Sequence, residues 1–349
     1  MQGEAGAQTA RWLLFHAREQ GFFSSAVLGK KEWERVLLEQ GFAEEEEGVR
    51  ARYGLDEAGA MLVVALRYAP DVEPEPAAAR AARGLPPLPL PGAGKPMAKI
   101  GRFARGNWYG EIGSRLAACA AATSGDMAAA GLPLFSPKRW QRFSNSRFPE
   151  KALAVAAGLG AVGRNGLLIA EASDAGPVQD SAAGSASRAA TRSSAVLLGL
   201  MLLPFDLEEV LIPPRRPPRT ALSFCGSCRR CVDACPTAAL HCAPEPVFER
   251  DRCIQYYSSR AGALPAFIEA SWQDQLYGCD LCLEACPYFR PDPDARAGRG
   301  QIGGSFDAAT IARMENAQLR ILLKGSVLDQ KWIAPEALRR NAALALRKR

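Results

Sequence analysis

The sequence predicts an α+β protein in three successive parts: a mixed α/β part over about residues 1–212, a small cysteine-rich domain over about 213–292, and a short helical tail over 293–349. Three observations lead there. At 349 residues the chain exceeds one comfortable hydrophobic core. Its apolar residues switch between helical and strand-like spacing along the first two hundred positions. Nine of its ten cysteines fall between positions 225 and 286.

Residues 8–41 read as helical, with Trp12, Leu13 and Phe15, then Trp33, Val36 and Leu37, at apolar positions. The acidic run at 44–47 reads as a solvated turn. A buried strand is expected over 61–68, ended by Pro70. Residues 70–96, rich in Pro, Ala and Gly, suggest a mobile or polyproline-like loop. A helix over 109–130 stops at Gly131-Leu-Pro133, and another over 149–157 carries Pro149 in its first turn. Residues 166–170 read as a strand. The segment 171–193, dominated by Ala, Ser, Gly and Asp, reads as a disordered insertion. The apolar run at 195–205 contains Pro204 and is too short to span a membrane, so a buried strand suits it better.

The cysteines carry the chemistry. They spell Cys225-Gly-Ser-Cys228-Arg-Arg-Cys231-Val-Asp-Ala-Cys235-Pro236, then Cys253, then Cys279-Asp-Leu-Cys282-Leu-Glu-Ala-Cys286-Pro287. The first run has the C-x2-C-x2-C-x3-C-P spacing of two-cluster ferredoxins, whose fourth Cys crosses to the other cluster. By that rule Cys225, Cys228, Cys231 and Cys286 hold one [4Fe–4S] cluster, and Cys235, Cys279 and Cys282, completed by the lone Cys253, hold a second. Cys242 and Cys119 remain, the latter as a packing residue in an Ala-rich run. A secreted disulfide scaffold would be shorter and denser in Cys, and zinc knuckles give no reason for the third Cys or the following Pro.

Free thiols and clusters imply a reducing compartment. The first residues show no basic stretch leading into an apolar core and no twin arginine, so a cytoplasmic protein, not associated with membrane and acting as a monomer, is expected. The net charge of +6 is modest, but the basic residues are grouped: Lys138-Arg139 with Arg142 and Arg147, Arg215-Arg216 with Arg219, and Arg339-Arg340 with Arg347-Lys348-Arg349. Such groups suit phosphates, or are ordinary solvated surface.

Gly158-Leu-Gly160-Ala-Val-Gly163 matches G-x-G-x-x-G, yet an Ala-rich helix precedes it and a strand follows, the reverse of a dinucleotide fingerprint. The glycines are expected to form a tight helix-to-strand turn bringing backbone close to a neighbour or cofactor.

Together with Ile100-Gly-Arg-Phe-Ala-Arg-Gly-Asn-Trp-Tyr109, Glu150 through Asn165, Cys253-Ile-Gln-Tyr256 and Leu276-Tyr-Gly-Cys-Asp-Leu-Cys282, this turn resembles the epoxyqueuosine reductase family over roughly residues 60–290. Leu338-Arg-Arg-Asn-Ala-Ala-Leu-Ala-Leu346 is similar to the start of the helical-repeat segment of longer members. The resemblance implies a ferredoxin-like double-cluster domain after an N-terminal corrinoid-binding-like domain. It implies cobalamin, with Gly160, Gly163, Arg164 and Asn165 on the cofactor side. It also implies tRNA as substrate-bearing partner and an external electron donor such as ferredoxin or flavodoxin. A cluster would pass single electrons to cobalt, reduced cobalt would engage the epoxide carbon, and a protein acid would protonate the departing oxygen.

The pattern departs at the chemistry. Where the family has its acidic Asp, this chain has Ser144, followed by Asn145; Trp108-Tyr109-Gly110 replaces an Asp-Tyr-His; and a Gly-Ser-Trp is lost in the insertion. The expected function is reduction of epoxyqueuosine to queuosine in tRNA. The alternative is a divergent paralogue that reduces another substrate or acts as a ferredoxin-like electron carrier.

Overall fold

A computed structural model of the chain describes residues 4–42, 49–173, 192–207, 224–241 and 247–347. The contacts divide it into two units built from non-contiguous segments. The first comprises Met1–Arg67, Tyr109–Gly163 and Leu167–Gly226; the second comprises Tyr68–Trp108, Arg164–Gly166 and Ser227–Arg349. This differs from a linear division at 212 and 292. Residues 44–47, 174–191, Arg215, Arg216, Arg219, Cys242, Lys348 and Arg349 lie outside the described residues, as does the boundary expected at 212.

The first unit is organised on an antiparallel sheet of order β1-β2-β8-β4, with β1 Ser24–Gly29, β2 Ala60–Arg67, β4 Arg142–Phe143 and β8 Val196–Leu203. Its long strands are apolar without alternation because both faces are covered. On one face Met61, Val63 and Ala65 meet Leu198, Leu200 and Leu202, with Trp33, Val36 and Leu37 of α2 (Lys30–Glu39) and Leu153 and Ala154 of α6 (Glu150–Ala156). On the other, Gly199 lets α5 (Trp108–Ala129) close on the sheet, since a Cβ there would strike Ile112. Helix α1 (Glu4–Glu19) and the short α3 (Val49–Arg52) complete the larger layer. A smaller antiparallel sheet pairs β5 (Gly160–Val162), β6 (Leu168–Glu171) and β7 (Arg192–Ser193).

The continuous helix expected over 8–41 is two helices separated by β1. Gly21, at φ +73°, ends the first, and Ser24–Leu28 is buried residue after residue, which a sheet position demands and an amphipathic helix does not. The expected strands at 61–68, 166–170 and 195–205 and the helices at 109–130 and 149–157 correspond to β2, β6, β8, α5 and α6.

The second unit centres on β3 (Met97–Ile100), flanked by parallel β11 (Gln275–Tyr277) and antiparallel β12 (Ser305–Asp307). A two-stranded ribbon joins β9 (Leu240–His241) to β10 (Val247–Phe248). Residues 70–96 are not a free loop. They contain α4 (Ala77–Ala81), whose Arg80, 1% exposed, donates to the carbonyls of Pro86 (2.7 Å) and Leu322 (2.6 Å).

The short helices α7 (Arg230–Asp233), α8 (Ile254–Ser258), α9 (Ala266–Ser271) and α10 (Leu281–Glu284) carry or flank the cysteines. Residues 293–349 are more than a tail. They supply β12, α11 (Ala308–Arg313), α12 (Asn316–Leu323) and α13 (Pro335–Arg347), and α13 packs on β3, β11 and α8. Its buried Ala337, Leu338, Asn341, Ala342, Leu344 and Ala345 recur at helical spacing.

Candidate functional site

Three of the four thiols of the second expected set, Cys235, Cys253 and Cys279, have backbone amides close to the sulfur. Cys253 immediately precedes α8, whose Gln255 and Tyr256 amides favour its thiolate, the Tyr256 amide also donating to the Cys253 carbonyl at 3.0 Å; the Leu281 amide of α10 favours the Cys279 thiolate; Cys235 accepts from Ala239 at 3.3 Å. Cys279 and Cys282 interact electrostatically with both Cys253 and Cys235, and Cys253 with Cys235. The four thiols are therefore near enough to feel one another's charge. Cys282 also feels Cys231 of the first set, as α7 packs against α10. Cys225, Cys228 and Cys286 are half-buried.

Burial pushes the Cys279 thiol up to about 12 and raises Cys253 and Cys282 as well, so the bare thiols stay protonated at neutral pH. A metal cluster offsets that desolvation, because binding requires thiolate and releases the protons. Among the described residues no three His, Cys, Asp or Glu side chains converge on a single ion; a cubane asks for something different, one thiolate on each of four irons. The amide donors to sulfur are among the features that set cluster potential. Cys119, buried in α5 and likewise raised to about 12 by desolvation, is an inert packing thiol.

Two of the sequence motifs, 178 positions apart, meet here. The Gly101 amide donates to the Tyr277 carbonyl at 2.7 Å, and a Cβ on Gly278, at φ +91°, would lie 3.0 Å from the Gly101 Cα. Next to them the Arg102 amide donates to Asp280 (2.8 Å), while its guanidinium reaches Glu284 (3.0 Å) and Asp71 (3.1 Å). Burial raises the Asp280 carboxyl, opposed by the Arg102 amide and by Arg105.

Behind the thiol-bearing turns, Asn341 of α13 donates to the carbonyls of Ser258 (2.9 Å) and Leu276 (2.7 Å). Arg340 caps the carbonyls of Tyr257 (2.7 Å), Arg260 (2.9 Å) and Gly262 (2.7 Å). Sequence reading singled out neither Asp280 nor Asn341 and treated Arg340 as a surface cation. Arg339 reaches Asn316 and Arg347 pairs with Glu269, so the described part of the C-terminal basic group is engaged within the fold.

The glycine-rich turn has a local explanation. Gly158, at φ +73°, ends α6: its amide bonds to the Val155 carbonyl and that of Leu159 to Ala154, a Schellman closure. Gly160 is where β5 closes on β6, and a Cβ there would land on the Ile169 carbonyl. The backbone that Gly160 approaches is that of its partner strand. The Gly163 amide closes the hairpin onto the Leu167 carbonyl at 2.8 Å. Arg164 and Asn165 follow at the hairpin tip, half-buried and buried respectively.

Ser144 lies just beyond β4 and donates its hydroxyl to the Leu198 carbonyl at 2.8 Å, continuing the attachment of β4 to β8. Asn145 is exposed with φ +52°, a conformation Asn tolerates better than most residues. Six positions beyond Ser144, Glu150 accepts from the Ser146 amide (2.8 Å) and hydroxyl (2.9 Å). Burial raises its pKa above the ordinary glutamate value, with the Ser146 bonds opposing.

Residues 224–288 match the family model of a 4Fe-4S double cluster binding domain. The chain is similar to the epoxyqueuosine reductases of Lactococcus garvieae (31% identity, covering 41% of this chain and 36% of that one) and Gloeobacter violaceus (32%, covering 56% and 55%). These alignments span about a third to a half of those relatives' lengths. Among solved structures, the epoxyqueuosine reductase of Streptococcus thermophilus shares the fold (TM-score 0.61, 18% identity, covering 96% of this chain and 80% of that one). So does an epoxyqueuosine reductase crystallised with an epoxyqueuosine-modified tRNA stem loop (TM-score 0.59, 20% identity, covering 97% and 81%).

Proposed function

From the chain's similarity to epoxyqueuosine reductases in sequence and fold, and from its double-cluster segment, we propose that it is a cytoplasmic iron–sulfur reductase that converts epoxyqueuosine to queuosine in tRNA. The observation that carries the reading is the match of residues 224–288, which contain all eight expected ligands, to a 4Fe-4S double cluster binding domain. In this reading Cys235, Cys253, Cys279 and Cys282 hold one [4Fe–4S] cluster, and Cys225, Cys228, Cys231 and Cys286 hold the other.

Removal of an epoxide oxygen as water consumes two electrons and two protons and leaves an alkene. Clusters deliver electrons singly, so both would be relayed from an external donor. Cobalamin, when bound, would supply a strongly reducing cobalt that attacks carbon. The residues the resemblance assigns to it, Gly160, Gly163, Arg164 and Asn165, lie on β5 and the hairpin that follows it.

A general acid must protonate the leaving oxygen. Ser144, bonded to a strand carbonyl, is no substitute for a carboxylic acid, which favours a second reading: a divergent paralogue with the same electron-transfer parts and another substrate. The two readings part from a simple electron carrier in the spectrum of anaerobic protein reconstituted with hydroxocobalamin. A corrin band retained through gel filtration beside cluster absorption supports a reductase, and cluster absorption alone supports the carrier.

A further inference from the structure

Tyr256, in the helix that begins beside Cys253, has two guanidinium groups over its ring: Arg260 lies 4.2 Å and Arg250 5.2 Å from the ring centroid. The same residue's amide donates to the Cys253 carbonyl at 3.0 Å. Both arginines are exposed, and neither has a carboxylate partner among the described residues. Arg252, between them in sequence, is by contrast committed inward, to the Thr237 carbonyl at 3.1 Å and to the Phe267 ring. Immediately upstream, Val247 and Phe248 of β10 are each 45% exposed.

We propose that Arg250, Tyr256 and Arg260, with Val247 and Phe248, form the docking surface on which a small acidic electron-carrier protein, of the flavodoxin or ferredoxin class, reduces the cluster held by Cys253. The proposal rests on the two-cluster reading above. In each encounter the reduced carrier loses one electron and the oxidised cluster gains one; two encounters provide what one epoxide oxygen requires. An apolar pair beside a cationic rim fits the small, transient interfaces of electron-transfer partners, where complementary charge governs association rate more than affinity. A nucleic-acid backbone would leave the apolar pair unused. The position also suits the task, because the surface lies on the turn that presents a cluster ligand.

The test is anaerobic stopped-flow reduction of the reconstituted full chain by reduced flavodoxin, comparing wild type with Arg250→Glu/Arg260→Glu and the milder Arg250→Gln/Arg260→Gln. The proposal expects the second-order rate to fall about tenfold or more in the reversal variant and less in the neutral one, with a flattened salt dependence. Iron content and reduction by dithionite should be unchanged. Equal flavodoxin rates in all three proteins overturn the docking site while leaving the clusters intact; so does a loss of tRNA affinity with unchanged flavodoxin rates, which assigns the surface to RNA. Wild type that binds no cluster removes the reading beneath it. Should the reversal variant lose iron, the neutral variant with full iron decides by the same criteria.

Discussion

Replacing Asn341 with Ala should loosen the second cluster although the residue touches no cysteine. The side chain is fully buried and its amide satisfies two carbonyls, Ser258 at the end of the helix that follows Cys253 and Leu276 in the strand that leads to Cys279. Truncation leaves both acceptors buried and unpaired, at about 1–3 kcal/mol each, or about 2–6 kcal/mol together. Even the lower figure raises the population of the opened turns about 30-fold. Anaerobic loss of cluster absorbance to an iron chelator reads this directly, and about half the iron should leave much faster than in wild type. Arg347→Gln, which breaks only an exposed pair with Glu269 (2.8 Å; 68% and 46% exposed), is the control and should change nothing measurable. Chelation of Asn341→Ala at the wild-type rate would refute the claim that α13 supports the cluster turns.

Anaerobic reconstitution should yield about eight iron and eight sulfide per chain. Cys253→Ser should impair one cluster and Cys242→Ser neither; equal iron loss in the two would defeat the ligand assignment. Glu150, raised by burial, binds its proton more readily folded than unfolded, so it should subtract stability as pH rises from the ordinary glutamate pKa through the raised one, and restore it below. Glu150→Gln keeps an acceptor for Ser146 and should lose that component, matching wild type in acid and exceeding it at neutral pH; identical unfolding midpoints across pH would contradict the burial argument. If the missing acid limits catalysis, Asn145→Asp, on an exposed position whose backbone Asp tolerates, should raise turnover on epoxyqueuosine-containing tRNA, toward the roughly 10²–10⁴-fold a placed acid contributes. Ser144→Asp should instead lower stability, because it sets a carboxylate against the Leu198 carbonyl. No gain in turnover from Asn145→Asp would show that the proton comes from elsewhere.

What was legible in the sequence is what has local or spacing-encoded causes. The runs at 61–68 and 195–205 read as buried strands because their apolar character is continuous, and both are strands covered on each face. The cysteine spacing pointed to a two-cluster domain, and residues 224–288 match a 4Fe-4S double cluster binding domain. What sequence could not yield depends on partners far along the chain. β1 is short and lies between two good helices, so only its pairing with β2 reveals it. Residues 97–100 look like loop until β11 and β12 flank them. Arg80 and Arg340 are indistinguishable by composition from solvated cations, yet each is consumed by backbone carbonyls. Gly160 was readable as a close backbone approach, but not that the approach is to Ile169.

The central claim is tested most directly by incubating the anaerobically reconstituted chain, with hydroxocobalamin and a low-potential reductant, with epoxyqueuosine-containing tRNA, and then digesting the RNA for nucleoside mass spectrometry. The account predicts queuosine appearing at the expense of epoxyqueuosine, in proportion to enzyme and abolished by Cys253→Ser. Protein loaded with both clusters and corrin that binds the tRNA yet leaves every epoxyqueuosine unchanged would contradict it and assign the chain to another substrate.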